Sequence, residues 1–195
     1  MRAKVINLFE RSDRMEQFKQ NNLPFKYSRF NAIRSDPGWL GCTQSHLMAL
    51  RESIAPVMIL EDDCLFLESW DVVLQAIRQL PRNWDALWLG GTLMKAQKRY
   101  SENLFHADEI LCAHAIIFKT NRIIDYVIHN FDSYQTDMRK TIDVFYAYDV
   151  QQKFNCFITY PLVATQRSGY SDIEKQNVNY TQIVELYKAH TDVST

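Results

Sequence analysis

Few of the signatures that announce a function are present in this 195-residue chain. It contains no G-x-G-x-x-G and no P-loop, which removes the common dinucleotide and NTPase readings. There is also no G-x-S-x-G and no His-x-x-x-His. The four cysteines, Cys42, Cys64, Cys112 and Cys156, form no C-x-x-C pair. Each sits among apolar neighbours, which favours buried free thiols in a reducing compartment over zinc or disulfides. No run approaches the roughly 18 apolar residues that a membrane span needs. Met1 to Leu8 is too short in apolar length for a signal peptide. The expectation is therefore a soluble, cytoplasmic protein, with the inner face of a membrane as an alternative place of work. Net charge is −1 and the pI about 6.5, so no global positive field favours nucleic acid or anionic membrane. No internal repeat, low-complexity segment or interdomain linker is visible.

What is present is one concentrated feature. Val57-Met58-Ile59-Leu60 reads as a strand buried on both faces, and Glu61-Asp62-Asp63 follows at once. Three clustered carboxylates repel one another unless water, hydrogen bonds or a cation relieves them. Oxygen ligands suit Mg²⁺ or Mn²⁺, and the carboxyl end of a strand in an α/β sheet is where ligands usually bind. The competing reading is a strand that ends in a solvated acidic turn.

The rest of the chain supplies a framework for that strand. Ala3–Leu8 reads as a first buried strand, and Arg11-Ser12-Asp13-Arg14 opens a helix with Met15, Phe18 and Leu23 on its apolar face. Asp13 and Glu16 resemble a capping box, while Arg11 and Arg14 read either as solvated helix-start residues or as a grip on a diphosphate. Phe25–Ile33 reads as a second strand. A helix follows over Trp39–Ile54, with Leu40, Leu47, Leu50 and Ile54 on one face. Gly41, Ser45 and Ala49 form a second, small-residue face on it. His46 reads as a hydrogen-bonded structural residue or as part of a site.

Ser69-Trp70-Asp71 signals a helix to Leu80. Asp85–Gly91 reads as a buried strand whose glycines suit a close ligand or a plain turn. Lys95–Asp108 reads as a flexible loop near a site, and Ile110–Phe118 as a strand. Thr120 caps a helix carrying Ile123, Ile124, Val127 and Ile128, and Thr141-Ile142-Asp143 opens a short helix to Gln152. Phe154–Tyr160 is a late strand. Early alternation of strands and helices argues one α/β layer sandwich over residues 1–173. A polar tail over residues 174–195 includes an amphipathic helix at Thr181–His190.

These motifs, taken together and in order, resemble glycosyltransferase family 25, the lipooligosaccharide and collagen-type galactosyltransferase family. The matching pieces are Val5-Ile6-Asn7-Leu8 with Arg11-Ser12-Asp13-Arg14, Pro24-Phe25, Asn31-Ala32-Ile33, Gly41-Cys42-Thr43-Gln44-Ser45-His46 and Leu60-Glu61-Asp62-Asp63. Trp84-Asp85, Leu89-Gly90, Ile142-Asp143 and the stretch from Gln166 to Ser171-Asp172-Ile173 complete the set. The resemblance implies a GT-A-like single-domain α/β/α sandwich with a mostly parallel nucleotide-binding sheet. It implies a D-x-D-like motif in which Asp63, supported by Glu61, holds Mn²⁺ or Mg²⁺. A UDP-sugar donor would lie against Asn7, Arg11, Arg14, Ser45, His46, Asp62, Arg167 and Ser168. The family is regarded as inverting, which calls for a base, and Asp143 is the first candidate with Asp172 next.

The implied activity is metal-dependent transfer of a hexose, galactose foremost, to a saccharide acceptor such as lipopolysaccharide or capsule oligosaccharide. A degenerate nucleotide-sugar-binding module without turnover is a competing function, and so is a transferase with a protein or modified nucleic-acid acceptor. The near-neutral charge weighs against nucleic acid. A phosphohydrolase of the haloacid-dehalogenase type would need a nucleophilic Asp where Glu61 stands.

Overall fold

The computed structural model describes residues 1–171 and 175–180. Asp172 and the expected helix at 181–190 lie outside the described residues.

The first half alternates strand and helix as its apolar pattern requires. β1 (Arg2–Asn7), α1 (Ser12–Lys19), β2 (Ser28–Asn31), α2 (Gly38–Arg51) and β3 (Val57–Glu61) come in succession. β1 pairs in parallel with both β2 and β3, which places the carboxyl ends of all three strands side by side. After a two-residue turn at Asp62-Asp63 the chain enters β4 (Cys64–Phe66), α3 (Trp70–Gln79) and β5 (Ala86–Trp88). Four short strands follow: β6 (Thr92–Leu93), β7 (Arg99–Ser101), β8 (Leu104–His106) and β9 (Ile110–Leu111). Then come β10 (Ala115–Phe118), α4 (Asn121–Asn130) and α5 (Ile142–Phe145). α5 runs on through one wide π-helical turn at Tyr146–Val150 into α6 (Gln151–Lys153). β11 (Cys156–Thr159), β12 (Ala164–Gln166), β13 (Gly169–Ser171) and β14 (Gln176–Val178) complete the described chain.

The main sheet has eight strands in the order β2-β1-β3-β10-β5-β11-β8-β7. Alternation along its buried strands loads both faces. Val57 and Ile59 of β3, with Ile116 and Phe118 of β10, join one apolar cluster. Met58 and Leu60, with Ala115 and Ile117, join the other. α2 and α4 contribute Leu47, Leu50, Ile123, Ile124 and Val127 to the first cluster, and α1 and α3 contribute Met15, Phe18, Val73 and Ala76 to the second. Helices therefore cover both faces, which is the α/β/α sandwich expected, because strands apolar on both sides are stable only between two layers.

Several details depart from expectation. The sheet is mixed: β1–β2, β1–β3 and β5–β11 are parallel, while β10 and β8 run against their neighbours. Lys95–Asp108 is no loose loop but carries the β7–β8 hairpin, which extends the sheet beyond β11 with Leu104 and Phe105 fully buried. The expected strand at Ile110–Phe118 is broken in two at Cys112, whose φ of 77° takes it out of extended geometry. α2 stops at Arg51, so Ile54 is exposed rather than part of its apolar face. The expected capping box does not form: α1 begins after Arg11 without a side-chain cap, and the Asp13 carboxylate pairs with Arg11.

The small-residue face of α2 does bring backbones together. A Cβ on Gly41 would stand 2.4 Å from the Ile33 carbonyl oxygen, and Ser45 Oγ accepts the Ile33 N–H at 2.8 Å while donating to the Gly41 carbonyl at 2.6 Å. Gly90 serves the chain rather than a ligand, since a Cβ there would meet the Ala164 carbonyl oxygen at 1.8 Å.

Candidate functional site

The carboxyl ends of β1, β2 and β3 open into a cavity of about 910 Å³. Residues from α2, from the start of α5 and from β12–β13 wall it in, including Cys42, Asp143, Gln166 and Tyr170. Glu61, Asp62 and Asp63 all line it, but the three carboxylates meet different partners.

Strand alternation divides them. Leu60 faces the α1 side of the sheet, so Glu61, one residue on, is sent to the α2 side. There Glu61 Oε1 lies 2.8 Å from His46 Nε2 and 3.9 Å from Cys42 Sγ. Cys42 and His46 are four residues apart on α2 and so share a face toward Glu61. Burial raises the Glu61 carboxyl, but the His46 hydrogen bond and the electrostatic influence of His46, His114 and Arg14 outweigh it and hold the group below its usual value.

Asp62 is committed on the opposite side. Its Oδ2 accepts from Asn7 Nδ2 at 2.6 Å, and its Oδ1 pairs with Arg14 NH1 at 3.3 Å. Burial still pushes this carboxyl up, with Glu61 adding to the effect. Asn7 also donates to the Arg11 carbonyl at 2.9 Å, so one side chain ties β1, the entry to α1 and the acidic turn.

Asp63 is the least compensated member. Among the described residues its buried Oδ1 has no hydrogen-bond partner, and its Oδ2 accepts only a long 3.4 Å bond from Gln166 Nε2. Burial, then the charges of Glu61 and Asp62, push the carboxyl up to about 8. A hard divalent cation would give the partnerless oxygen a ligand bond and neutralise the cluster. By its donor chemistry Asp63 therefore fits a Mn²⁺ or Mg²⁺ ion, while Glu61, two residues back, faces His46. Asp62 has both oxygens occupied and positions the turn.

The other residues singled out in the sequence divide clearly. Asn7, Arg14, Ser45, His46 and Asp143 line the cavity. Ser45 is fully buried and spends its hydroxyl on Gly41 and Ile33, so it ties the wall together. Asp143 opens α5, where its Oδ1 accepts from the Thr141 hydroxyl and from the Val144 N–H at 3.0 Å. Arg11, Arg167 and Ser168 do not line the cavity. Arg11 meets Asp13 with two 3.0 Å bonds, Arg167 NH2 donates to the Gln17 carbonyl at 3.3 Å, and Ser168 bonds Asn179 and the Tyr180 N–H. Arg167 still reaches the site through its backbone, which donates to the Asp63 carbonyl at 2.7 Å.

Two contributors, Gln166 and Cys42, were not among the residues that the sequence assigned to the site. Gln166 reaches Asp63 only because β12 pairs antiparallel with β4, setting Gln166 opposite Cys64. Cys42 reaches Glu61 through its four-residue spacing from His46, a pattern that could have been read. All four cysteines are free, with Cys64 and Cys156 buried as expected, whereas Cys42 and Cys112 are only half-buried and line the cavity.

No protein-family model matches the chain, and no curated protein does. Among solved structures, one titled "Crystal Structure of A197 from STIV" is similar over 91% of this chain and 93% of its own, at 11% identity and a TM-score of 0.45. A likeness of that size carries no functional argument. Among the described residues, no helix is long and apolar enough to cross a membrane.

Proposed function

We propose that the chain is a metal-dependent glycosyltransferase that moves a hexose, galactose foremost, from a UDP-sugar to a hydroxyl of a saccharide acceptor. The observation that carries this reading is the partnerless, buried Asp63 Oδ1 at the carboxyl end of β3, in the wall of a cavity that also contains Asp143. The volume, about 910 Å³, suits a ligand of nucleotide-sugar size. In this reading Asp63, with Glu61, holds Mn²⁺ or Mg²⁺. When bound, such an ion neutralises the charge that develops on the departing diphosphate.

The chain's own residues do the rest. Arg14, fixed by Asp62, adds positive charge to the cavity wall. Asp143 accepts the proton of the acceptor hydroxyl as that oxygen bonds the anomeric carbon and the bond from the sugar to the diphosphate breaks. Thr141 and Val144 hold the carboxylate in place for this role. Lipopolysaccharide or capsule oligosaccharide is the acceptor class proposed.

The test is donor binding and hydrolysis across a panel of nucleotide sugars, with Mn²⁺ and with chelator, on wild type and Asp63→Ala. Metal-dependent turnover of one UDP-sugar, lost in the variant, is the expected result. Tight UDP binding without turnover, even with saccharide acceptors added, would indicate a binding module. Absence of any nucleotide binding would overturn the reading.

A further inference from the structure

The donor set around Glu61 differs in kind from that of Asp63. Cys42, His46 and Glu61 each offer one ligand atom, and the three atoms lie within 4.8 Å of one another. We propose that these residues form a second metal site, selective for a thiophilic cation of the Zn²⁺ type, in the floor of the cavity.

The spacing supports it. Zinc takes sulfur at about 2.3 Å and nitrogen or oxygen at about 2.0–2.2 Å, so neighbouring ligands of a tetrahedral site stand roughly 3.3–3.6 Å apart. Here the Glu61–His46 edge is 2.8 Å and the Cys42–Glu61 edge 3.9 Å. These bracket the tetrahedral value, and side-chain rotations that move each ligand atom by roughly 0.5–1 Å would equalise them. The helix and strand that present the ligands would not have to move.

The chemistry supports it as well. A thiolate, an imidazole and a carboxylate select zinc over magnesium or manganese, whereas a hard carboxylate donor such as Asp63 suits the reverse. All three residues line the cavity, which supplies an entry path and leaves the fourth coordination position open to water or an anion. Edge-on contact with the Tyr146 ring, 6.4 Å between centroids, seats the fully buried His46 ring beside Glu61. Tyr146 itself is fully buried, and among the described residues its hydroxyl has no hydrogen-bond partner. Coordination through Nε2 replaces the His46–Glu61 hydrogen bond: the Nε2 proton leaves that nitrogen, the neutral imidazole keeping its one N–H at Nδ1, and the Cys42 thiol proton is released to solvent. Where the transferase reading holds, zinc would also hold Glu61 on the His46 side and so oppose the Mn²⁺ form, but the site does not depend on that reading.

The test uses the metal-free full chain titrated with Co²⁺, which reports tetrahedral thiolate ligation without any sugar donor. A single equivalent should produce intense visible bands and a thiolate-to-cobalt charge-transfer band, both displaced by Zn²⁺ and not by Mg²⁺. Cys42→Ser should abolish the charge-transfer band, and His46→Gln should weaken binding roughly tenfold or more, whereas Cys112→Ser should change neither. Circular dichroism confirms that each variant is folded. In wild type, which avoids the folding question altogether, Zn²⁺ should protect Cys42 from alkylation. Cobalt bound without the charge-transfer band, a band that survives Cys42→Ser, or unchanged alkylation of Cys42 under saturating Zn²⁺ would each overturn the proposal.

Discussion

Asn7, the last residue of β1, donates its Nδ2 to Oδ2 of Asp62 at 2.6 Å, joining residues 55 positions apart across two parallel strands. Because Asp62 is buried, loss of that donor leaves a carboxylate oxygen poorly satisfied. Asn7→Ala should therefore destabilise the fold by about 1–3 kcal/mol, read by urea unfolding. A change within ±0.3 kcal/mol would show that Asp62 finds water instead.

The Asp63 carboxyl gives a pH signature with a definite sign. In the unfolded chain an Asp titrates near 3.9, whereas in the metal-free fold it keeps its proton to about 8. Between those values the folded state holds the extra proton, so its stability falls as pH rises from about 4 to about 8 and this contribution then levels off. In chelator, Asp63→Asn should lack this slope. It should exceed wild type at pH 8 by an amount on the order of a few kcal/mol. Melting curves between pH 5 and 8 provide the check, and Mn²⁺ should restore wild type but leave the variant unchanged.

Asp143→Asn keeps an oxygen to accept the Val144 N–H but removes the proton acceptor. Turnover should drop by roughly 10²–10⁴-fold while nucleotide affinity stays within about threefold, measured by kinetics and calorimetry on one preparation. Loss of binding in parallel with turnover would recast Asp143 as a wall residue.

Gly41→Ala places a methyl group 2.4 Å from the Ile33 carbonyl oxygen and 3.0 Å from the Ser35 nitrogen. Forcing α2 off this segment should cost about 1–3 kcal/mol. Ile33 and Ser35 also line the cavity, so weaker nucleotide binding should accompany the loss of stability.

Asp85 provides the contrast, a buried carboxylate with a purely architectural task at the amino end of β5. It accepts from Arg122 at 2.7 and 2.9 Å and from the Asn155 N–H at 3.0 Å, clamping α4 and the approach to β11. Asp85→Ala should lower stability by about 1–3 kcal/mol, since it removes charge-assisted bonds to Arg122 and to the Asn155 N–H, donors exposed enough to turn to water instead. Ligand and metal binding, measured well below the melting transition, should not change.

Periodic features were legible without coordinates. The apolar run at 57–60, the Leu47 and Leu50 part of the α2 face, the α4 face and the small-residue stripe at Gly41, Ser45 and Ala49 appear where their spacing put them. Each rests on local geometry, 3.6 residues per helical turn or two per strand repeat, which a sequence displays directly. The β7–β8 hairpin escaped because its strands have three residues apiece, and the broken strand at Cys112 because one positive φ leaves no mark in composition.

The candidate site divides along the same line. That three carboxylates end a buried strand follows from residue order alone, because Leu60 and Glu61 are neighbours in the chain. Which carboxylate is paired and which is left over is a matter of long-range packing. His46 takes Glu61 from one face of the sheet, Asn7 and Arg14 take Asp62 from the other, and Asp63 receives only the distant end of Gln166. Those partners lie 15 to 103 residues away along the chain. The free energy that selects them comes from closing the sandwich around both faces of β3, a three-dimensional event that no local pattern records.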